Sequence, residues 1–194
     1  MPSAANRQPA KNVLQLDGDG DYVRLPNNIF NHLTEATVEA WIKWQRLSQH
    51  AQPLGLGKTW QMLGINNGHT TRDLSFFIYL QAQKLYAITV PDILHIDQWY
   101  HIAAVSGSGG MRLYLNGVLV GTHDFNGSFA ATGNSEQNHL GGSHWPENAD
   151  FFGQLADVRV WSLARSAEQI RTTMHQPPTA AEKQALVACW DFAS

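Results

Sequence analysis

Residues 153–161 read GQLADVRVW and run directly into SLARSAEQI at 162–170. The first half is a valine-rich β-run that ends on tryptophan. The second is a short helix with its own start signal. Ser166 and Gln169 have capping-box spacing, and Ile170 and Met174 place two apolar side chains one turn apart. Pro177 and Pro178 stop it. A strand feeding a short capped helix, with no βαβ pattern elsewhere, predicts an all-β fold with one short helix near the C-terminus.

Outward from that stretch the chain is strands and turns. Residues 37–44, TVEAWIKW, set Val38, Ala40, Ile42 and Trp44 on one face and Glu39, Trp41 and Lys43 on the other. LQLDGDGDYVRLP at 14–26 predicts two short strands around an Asp/Gly turn. LSFFIYL at 74–80 and KLYAITV at 84–90 read as a meander around a polar turn, and 100–105 is a short buried run. In MRLYLNGVLVG at 111–121, Asn116-Gly117 is the preferred pair for a type I′ hairpin, because both central residues need positive φ. Residues 124–138 are polar and glycine-rich and read as loop, as do 45–53 and 143–151. The total, roughly a dozen strands with turn signals about every ten residues, predicts an antiparallel two-sheet sandwich.

Composition bounds the function. The chain has 194 residues, enough for one core, so a single domain is expected over residues 12–194. Residues 1–11, MPSAANRQPAK, read as a linker or the edge of an excised piece and lack the apolar run of a signal peptide. A net charge of −3 without a basic stripe argues against nucleic acid as partner. No apolar run reaches the roughly 18 residues of a membrane span. Cys189 is the one cysteine, so no internal disulfide forms. In an apolar strand it is expected as a small buried hydrophobe.

These segments resemble the laminin-G-like branch of the concanavalin A-like lectin/glucanase superfamily. LQLDGDGDYVRLP is similar to the family's opening hairpin, TVEAWIKW to its first central strand, and DQWYHIAAV with MRLYLNGVLVG to its Trp-His strand and Asn-Gly hairpin. FFGQLADVRVWSLARSAEQI is similar to its closing strand and helix, a pattern shared with pentraxins. The resemblance implies a jelly roll that recognises a carbohydrate or a protein surface, often outside the cell and as a module of a larger protein. ALVACWDF at 185–192 resembles the strand that opens many such domains. It either closes this sandwich beside the first strand or begins a neighbouring copy. Closure is favoured, because Leu186, Ala188, Trp190 and Phe192 would otherwise expose an apolar face.

The sequence raises three kinds of chemistry: calcium binding, glycoside hydrolysis and sugar recognition. Calcium takes roughly six to eight oxygen ligands, and Asp17, Asp19 and Asp21, with Asp157 on the later strand, are the candidate ligands. The competing reading is a turn that uses Asp and Gly for local geometry. Pentraxins carry an acidic cluster after the strand that matches residues 139–142, where this chain reads GSHWPEN, so their paired calcium site is not expected here. Glycosidases of the superfamily set two carboxylates about 5 Å apart on one strand as E-x-D-x-x-E. No such motif occurs and Glu39 stands alone, so no enzyme is expected.

Sugar recognition needs an aromatic face and planar polar groups at the rim. Trp60, Asn66, Asn67, His69 and Arg72 form one candidate set, and His144, Trp145, Glu147 and Asn148 another, with Trp145 foremost. The competing reading folds Trp145 back as a lid on the sandwich edge. Trp41, Trp44, Trp99, Trp161 and Trp190 are assigned to the core, as is His101. The expected function is a non-catalytic recognition module for a glycan or protein partner, with calcium as a candidate aid. The alternatives are a structural or regulatory interaction domain and, last, a polysaccharide-active enzyme.

Overall fold

The computed structural model describes residues 12–133 and 136–193. The linker expected over residues 1–11 lies outside the described residues. The strands are β1 Leu14–Asp17, β2 Val23–Arg24, β3 Ala36–Trp44, β4 Leu54–Lys58, β5 Gln61–Asn67, β6 Leu74–Leu80, β7 Lys84–Val90, β8 Trp99–Ser106, β9 Met111–Leu115, β10 Val118–His123, β11 His139–Leu140, β12 Phe152–Trp161 and β13 Leu186–Trp190. Two short helices join them, α1 Phe129–Thr132 and α2 Ala167–Thr173. No helix among the described residues is long and apolar enough to cross a membrane.

The strands form two antiparallel sheets, a jelly-roll sandwich. The first runs β1-β12-β3-β8-β9-β10, and β13 also pairs with β12; the second runs β2-β11-β4-β5-β6-β7. Between them lies the main core. The inward alternation of β3 (Val38, Ala40, Ile42, Trp44) meets Leu54, Leu56, Phe76 and Ile78 from the second sheet, with Phe30, Phe129 and Phe151 from connecting segments.

Local signals hold where predicted. Ser166 Oγ accepts from the Gln169 amide at 3.2 Å, and the Gln169 side chain accepts from the Ser166 amide at 2.8 Å, so the capping box is complete. Asn116 and Gly117 take φ of 50° and 77° in the β9–β10 turn.

Three sequence expectations are corrected. The opening strands are not a hairpin: β1 pairs with β12 in the first sheet and β2 with β11 in the second. The DGDGD segment is therefore a crossing between sheets. Residues 124–138 contain the one-turn helix α1, so the helix near the C-terminus is not alone. Cys189 is exposed on β13. The last strand closes this sandwich: β1 pairs with the first half of β12 and β13 with the second, from Val158↔Trp190 to Trp161↔Leu186. Asp157 sits at the junction, in a bulge with φ 47° where the β12–β3 register shifts.

The outer faces of the two sheets differ. Residues 162–185, including α2, cover the first. Ile170 packs on Ala103, Val105 and Tyr114, and the indole of Trp41 donates to Met174 O at 2.8 Å. Among the described residues no helix lies on the outer face of β5, β6 and β7; α1 meets β5 and β6 from the core side through Phe129.

Candidate functional site

The uncovered face is a groove built from strand alternation. Antiparallel register lines up three rows across β5, β6 and β7: Asn66–Ser75–Thr89, then Gly64–Phe77–Ala87, then Met62–Tyr79–Leu85. The first row is polar, and Ser75 and Thr89 share a hydroxyl–hydroxyl bond of 2.7 Å. The middle row is an aromatic ring between two minimal residues. A Cβ on Gly64 would stand 2.3 Å from Phe77 Cζ, so the ring lies over bare backbone. The third row is bulky and apolar. The groove has a volume of about 290 Å³ and grades from polar to aromatic along the strands.

Two turns wall the aromatic end. Thr59 and Trp60 form the tight β4–β5 connection, closed by the Lys58↔Gln61 pair. Trp60 has φ 65° and is 37% exposed. Left-handed backbone is unfavourable for a bulky side chain, and such strain concentrates at functional positions. Its ring meets Tyr79 edge-on at 5.2 Å and Trp145 at 5.4 Å. Trp145 comes from the 143–150 loop and is 8% exposed, packed with Met62 and Phe77.

Hydrogen bonds hold that loop from several sides. Ser143 Oγ bonds both the amide and the carbonyl of Trp145 at 3.1 Å. Thr59 Oγ1 donates to His144 O at 2.8 Å, joining the Trp60 turn to the loop. Asp150 accepts from the amides of Ser143 and Gly20, each at 3.1 Å. The His144 ring stacks on His139 at 4.6 Å, hydrogen-bonds Gln137 O and rests against Gly55.

Glu147 is the one Asp, Glu, Lys or Arg among the described residues lining the groove. His50 lines the polar end, where burial and then the neighbouring His69 hold its imidazole below the ordinary pKa. Burial raises the Tyr79 phenol above its ordinary value. The groove is thus neutral apart from one exposed carboxylate. It lacks the carboxylate pair of a glycosidase among the described residues.

Comparison with known proteins agrees with this architecture. A laminin-G-type family model, described as the concanavalin A-like lectin/glucanases superfamily, matches residues 17–171. The chain belongs to this superfamily. Pappalysin-1 from Mus musculus is 26% identical over 192 residues, which cover 88% of this chain and 12% of that protein. Among solved structures, a candidate carbohydrate-binding protein from Bacteroides ovatus ATCC 8483 superposes with TM-score 0.67 at 21% identity, covering 88% of this chain and 48% of that one. The CBM40 of a Ruminococcus gnavus IT-sialidase, bound to α2,3 sialyllactose, superposes with TM-score 0.66 at 14% identity, covering 84% and 96%. At these identities the structures speak for the fold. The laminin-G-type domain spans a small part of pappalysin-1 and about half of the Bacteroides chain.

In this laminin-G-type domain the two sequence-selected loop sets meet, with exceptions. Trp60, Asn66, Trp145, Glu147 and Asn148 all line the groove. Asn67 does not: it is fully buried and donates to Ser48 O and His69 O at 2.8 and 2.6 Å. Arg72 is held away by Asp92 at 3.1 Å, by Leu94 O at 2.8 Å and by His95. His144 acts behind the wall as a support. Trp145 combines both readings given to it, since it lines the groove while its ring is turned into a side core. Tyr79, Phe77, Ser75 and Thr89 were missed. LSFFIYL is apolar on both faces over most of its length, so within the meander read over 74–90 its outward side chains do not stand out from its inward ones.

The aspartates do not assemble. Asp17 Oδ1 accepts from the Asp19 amide at 2.8 Å, a local Asx turn. Asp157 lies further along β12, 3.9 Å from Arg159, and burial raises its carboxyl pKa. Among the described residues no group of three or more His, Cys, Asp or Glu side chains is placed to hold a metal ion. The aspartates therefore do not fit calcium as one ligand set.

Proposed function

We propose that this domain is a non-catalytic recognition module that binds a glycan in the groove on the outer face of the second sheet. The observation that carries the reading is the Trp60 ring, exposed on a left-handed backbone beside Tyr79 at the aromatic end of a groove whose other end is amide and hydroxyl. A pyranose has the same division, with C–H groups on one face and hydroxyls at the edge. Its apolar face lies on an aromatic ring while its edge meets planar polar groups. The size also favours a small ligand. A groove of about 290 Å³ suits a few sugar units, whereas a stable protein partner needs about 800 Å² on each side. The carbohydrate-binding descriptions of the Bacteroides and Ruminococcus neighbours support the reading, and the match to a short part of pappalysin-1 supports a module within a larger protein.

Isothermal titration of the domain with a panel of oligosaccharides tests this. At least one is expected to bind, and Trp60→Ala is expected to weaken it at least about tenfold, the loss of one anchoring ring. Equal affinity in millimolar calcium and in chelator is expected, because Glu147 is the one carboxylate among the described residues lining the groove and calcium takes roughly six to eight oxygen ligands. Binding that survives Trp60→Ala intact, or a panel without a binder, sinks the proposal.

A further inference from the structure

The charge and hydrogen-bonding character of the groove goes further than the glycan reading on which it rests. We infer that the groove selects neutral glycans and discriminates against acidic ones, with the Glu147 carboxylate as the discriminating group. Its partners in the lining are amides and hydroxyls: Asn66, Asn148, Ser75 and Thr89. Each both donates and accepts, as sugar hydroxyls do. Glu147 accepts only, and vicinal hydroxyls supply the two donors that a carboxylate takes. A uronate, sialate or sulfate group also accepts only. Next to Glu147 it meets like charge with no proton between them.

Among the described residues no Lys or Arg lines the groove to offset this. Arg72 is engaged with Asp92 and with Leu94 O, outside the lining. Lys58 continues the inward alternation of Leu54 and Leu56, and Lys84 precedes outward-facing Leu85, so neither points to the groove. A cationic ligand is disfavoured by the rings themselves. A cation cage holds the charge over ring faces, within about 6 Å of each centroid. Here the Trp60 and Tyr79 rings meet edge to face and Trp145 is 8% exposed, so three open ring faces do not surround one point, and the open surface is the Trp60 ring beside Tyr79. That surface suits the C–H face of an uncharged sugar.

The test uses matched pairs that share a backbone: lactose with 3′-sialyllactose, galacto-oligosaccharides with oligogalacturonate, and xylo-oligosaccharides with their glucuronate-bearing forms. Each is titrated into the wild-type domain, Trp60→Ala and Glu147→Gln, at low and high salt. Glu147 is exposed, so its amide replacement leaves the fold in place. The neutral member of a bound pair is expected to bind roughly fivefold more tightly at low salt, with the gap narrowing in high salt and in Glu147→Gln. An acidic member that binds as tightly as its neutral partner, with that binding lost in Trp60→Ala, overturns the selectivity and leaves the glycan reading standing. A gap undiminished in Glu147→Gln overturns the role given to the carboxylate. Absence of saccharide binding by the wild-type domain overturns both.

Discussion

The two sheets present opposite solutions to the same problem. Each has an inner face in the common core and an outer face carrying side chains that the strand period puts there. On the first sheet the outer face of β3, β8 and β12 bears Glu39, His101, Arg159 and Trp161, all under 5% exposed beneath the 162–185 segment. Glu39 Oε1 accepts from Trp161 Nε1 at 2.9 Å and from Arg165 at 3.2 Å; Arg165 also donates to Thr173 Oγ1 at 2.8 Å and lies 4.0 Å over the Trp161 ring. Burial raises the Glu39 pKa, and Arg165, Arg159 and Trp161 pull it back. On the second sheet the outer face bears Phe77, Tyr79, Ser75 and Thr89 and is left open. Charge is sealed where the chain folds over itself, and aromatic surface is shown where it does not. The covered face therefore contributes stability, and the open face is the one proposed for recognition.

The largest expected effect breaks the covered side. Arg165→Ala leaves Glu39 buried with a partner removed and frees the Thr173 contact, so it is expected to cost about 3–5 kcal/mol in chemical denaturation. Saccharide affinity of the folded fraction is expected to stay the same, since Arg165 lies in the segment that covers the opposite sheet. A loss under about 1 kcal/mol, or a parallel loss of binding, would show that the two faces are not separate.

A second test sharpens the comparison through pH. His101 lies 3.8 Å from Glu39 and edge-on to Trp41, and its pKa is lowered to about 3 by burial, then by Arg159, His175 and Arg165. The unfolded chain takes up a proton near pH 6.5 that the folded imidazole refuses. Its stabilisation is thus whole above pH 6.5 and declines as pH falls from there toward 3, by up to about 1.4 kcal/mol per unit. His101→Gln is expected to remove that slope from the pH dependence of the urea midpoint. An unchanged slope would place the acid sensitivity elsewhere.

How much was legible follows from which rules are local. The β3 alternation, the Ser166–Gln169 cap and the Asn116-Gly117 turn each lie within a few residues, and each was readable. Pairing is not local. The alternation in LQLDGDGDYV marks strands, but it does not say that Leu14 pairs with Leu155 and Val23 with Leu140. Cys189 has apolar neighbours, yet its position in β13 turns it to solvent. The groove was half legible. Trp60, Asn66, Trp145, Glu147 and Asn148 stand out as aromatic or polar residues in or beside segments that carry turn signals, whereas Phe77 and Tyr79 are hidden in an apolar strand because a row across a sheet exists only after register is set. Asn67 and Arg72 have the right chemistry for a rim, but backbone carbonyls and Asp92 hold them.

The smallest expected effect concerns the open face and its strain. Trp60 sits at φ 65° in a two-residue turn, where glycine is at ease and alanine is not. Trp60→Ala and Trp60→Gly both delete the ring and its contacts with Tyr79 and Trp145, so they remove the same packing. They differ in backbone cost: alanine keeps the unfavourable left-handed conformation, about 1–2 kcal/mol for an L-residue, and glycine releases it. Glycine also gives up more unfolded-chain entropy, about 0.5–1 kcal/mol. The net expectation is that Trp60→Gly is the more stable of the two by about 0.5–1 kcal/mol in denaturant melts, while both lose saccharide affinity to the same extent. Alanine equal to or better than glycine would mean that the turn relaxes without the indole. The left-handed backbone would then be a consequence of packing the ring, and its value as a pointer to the binding face would fall away.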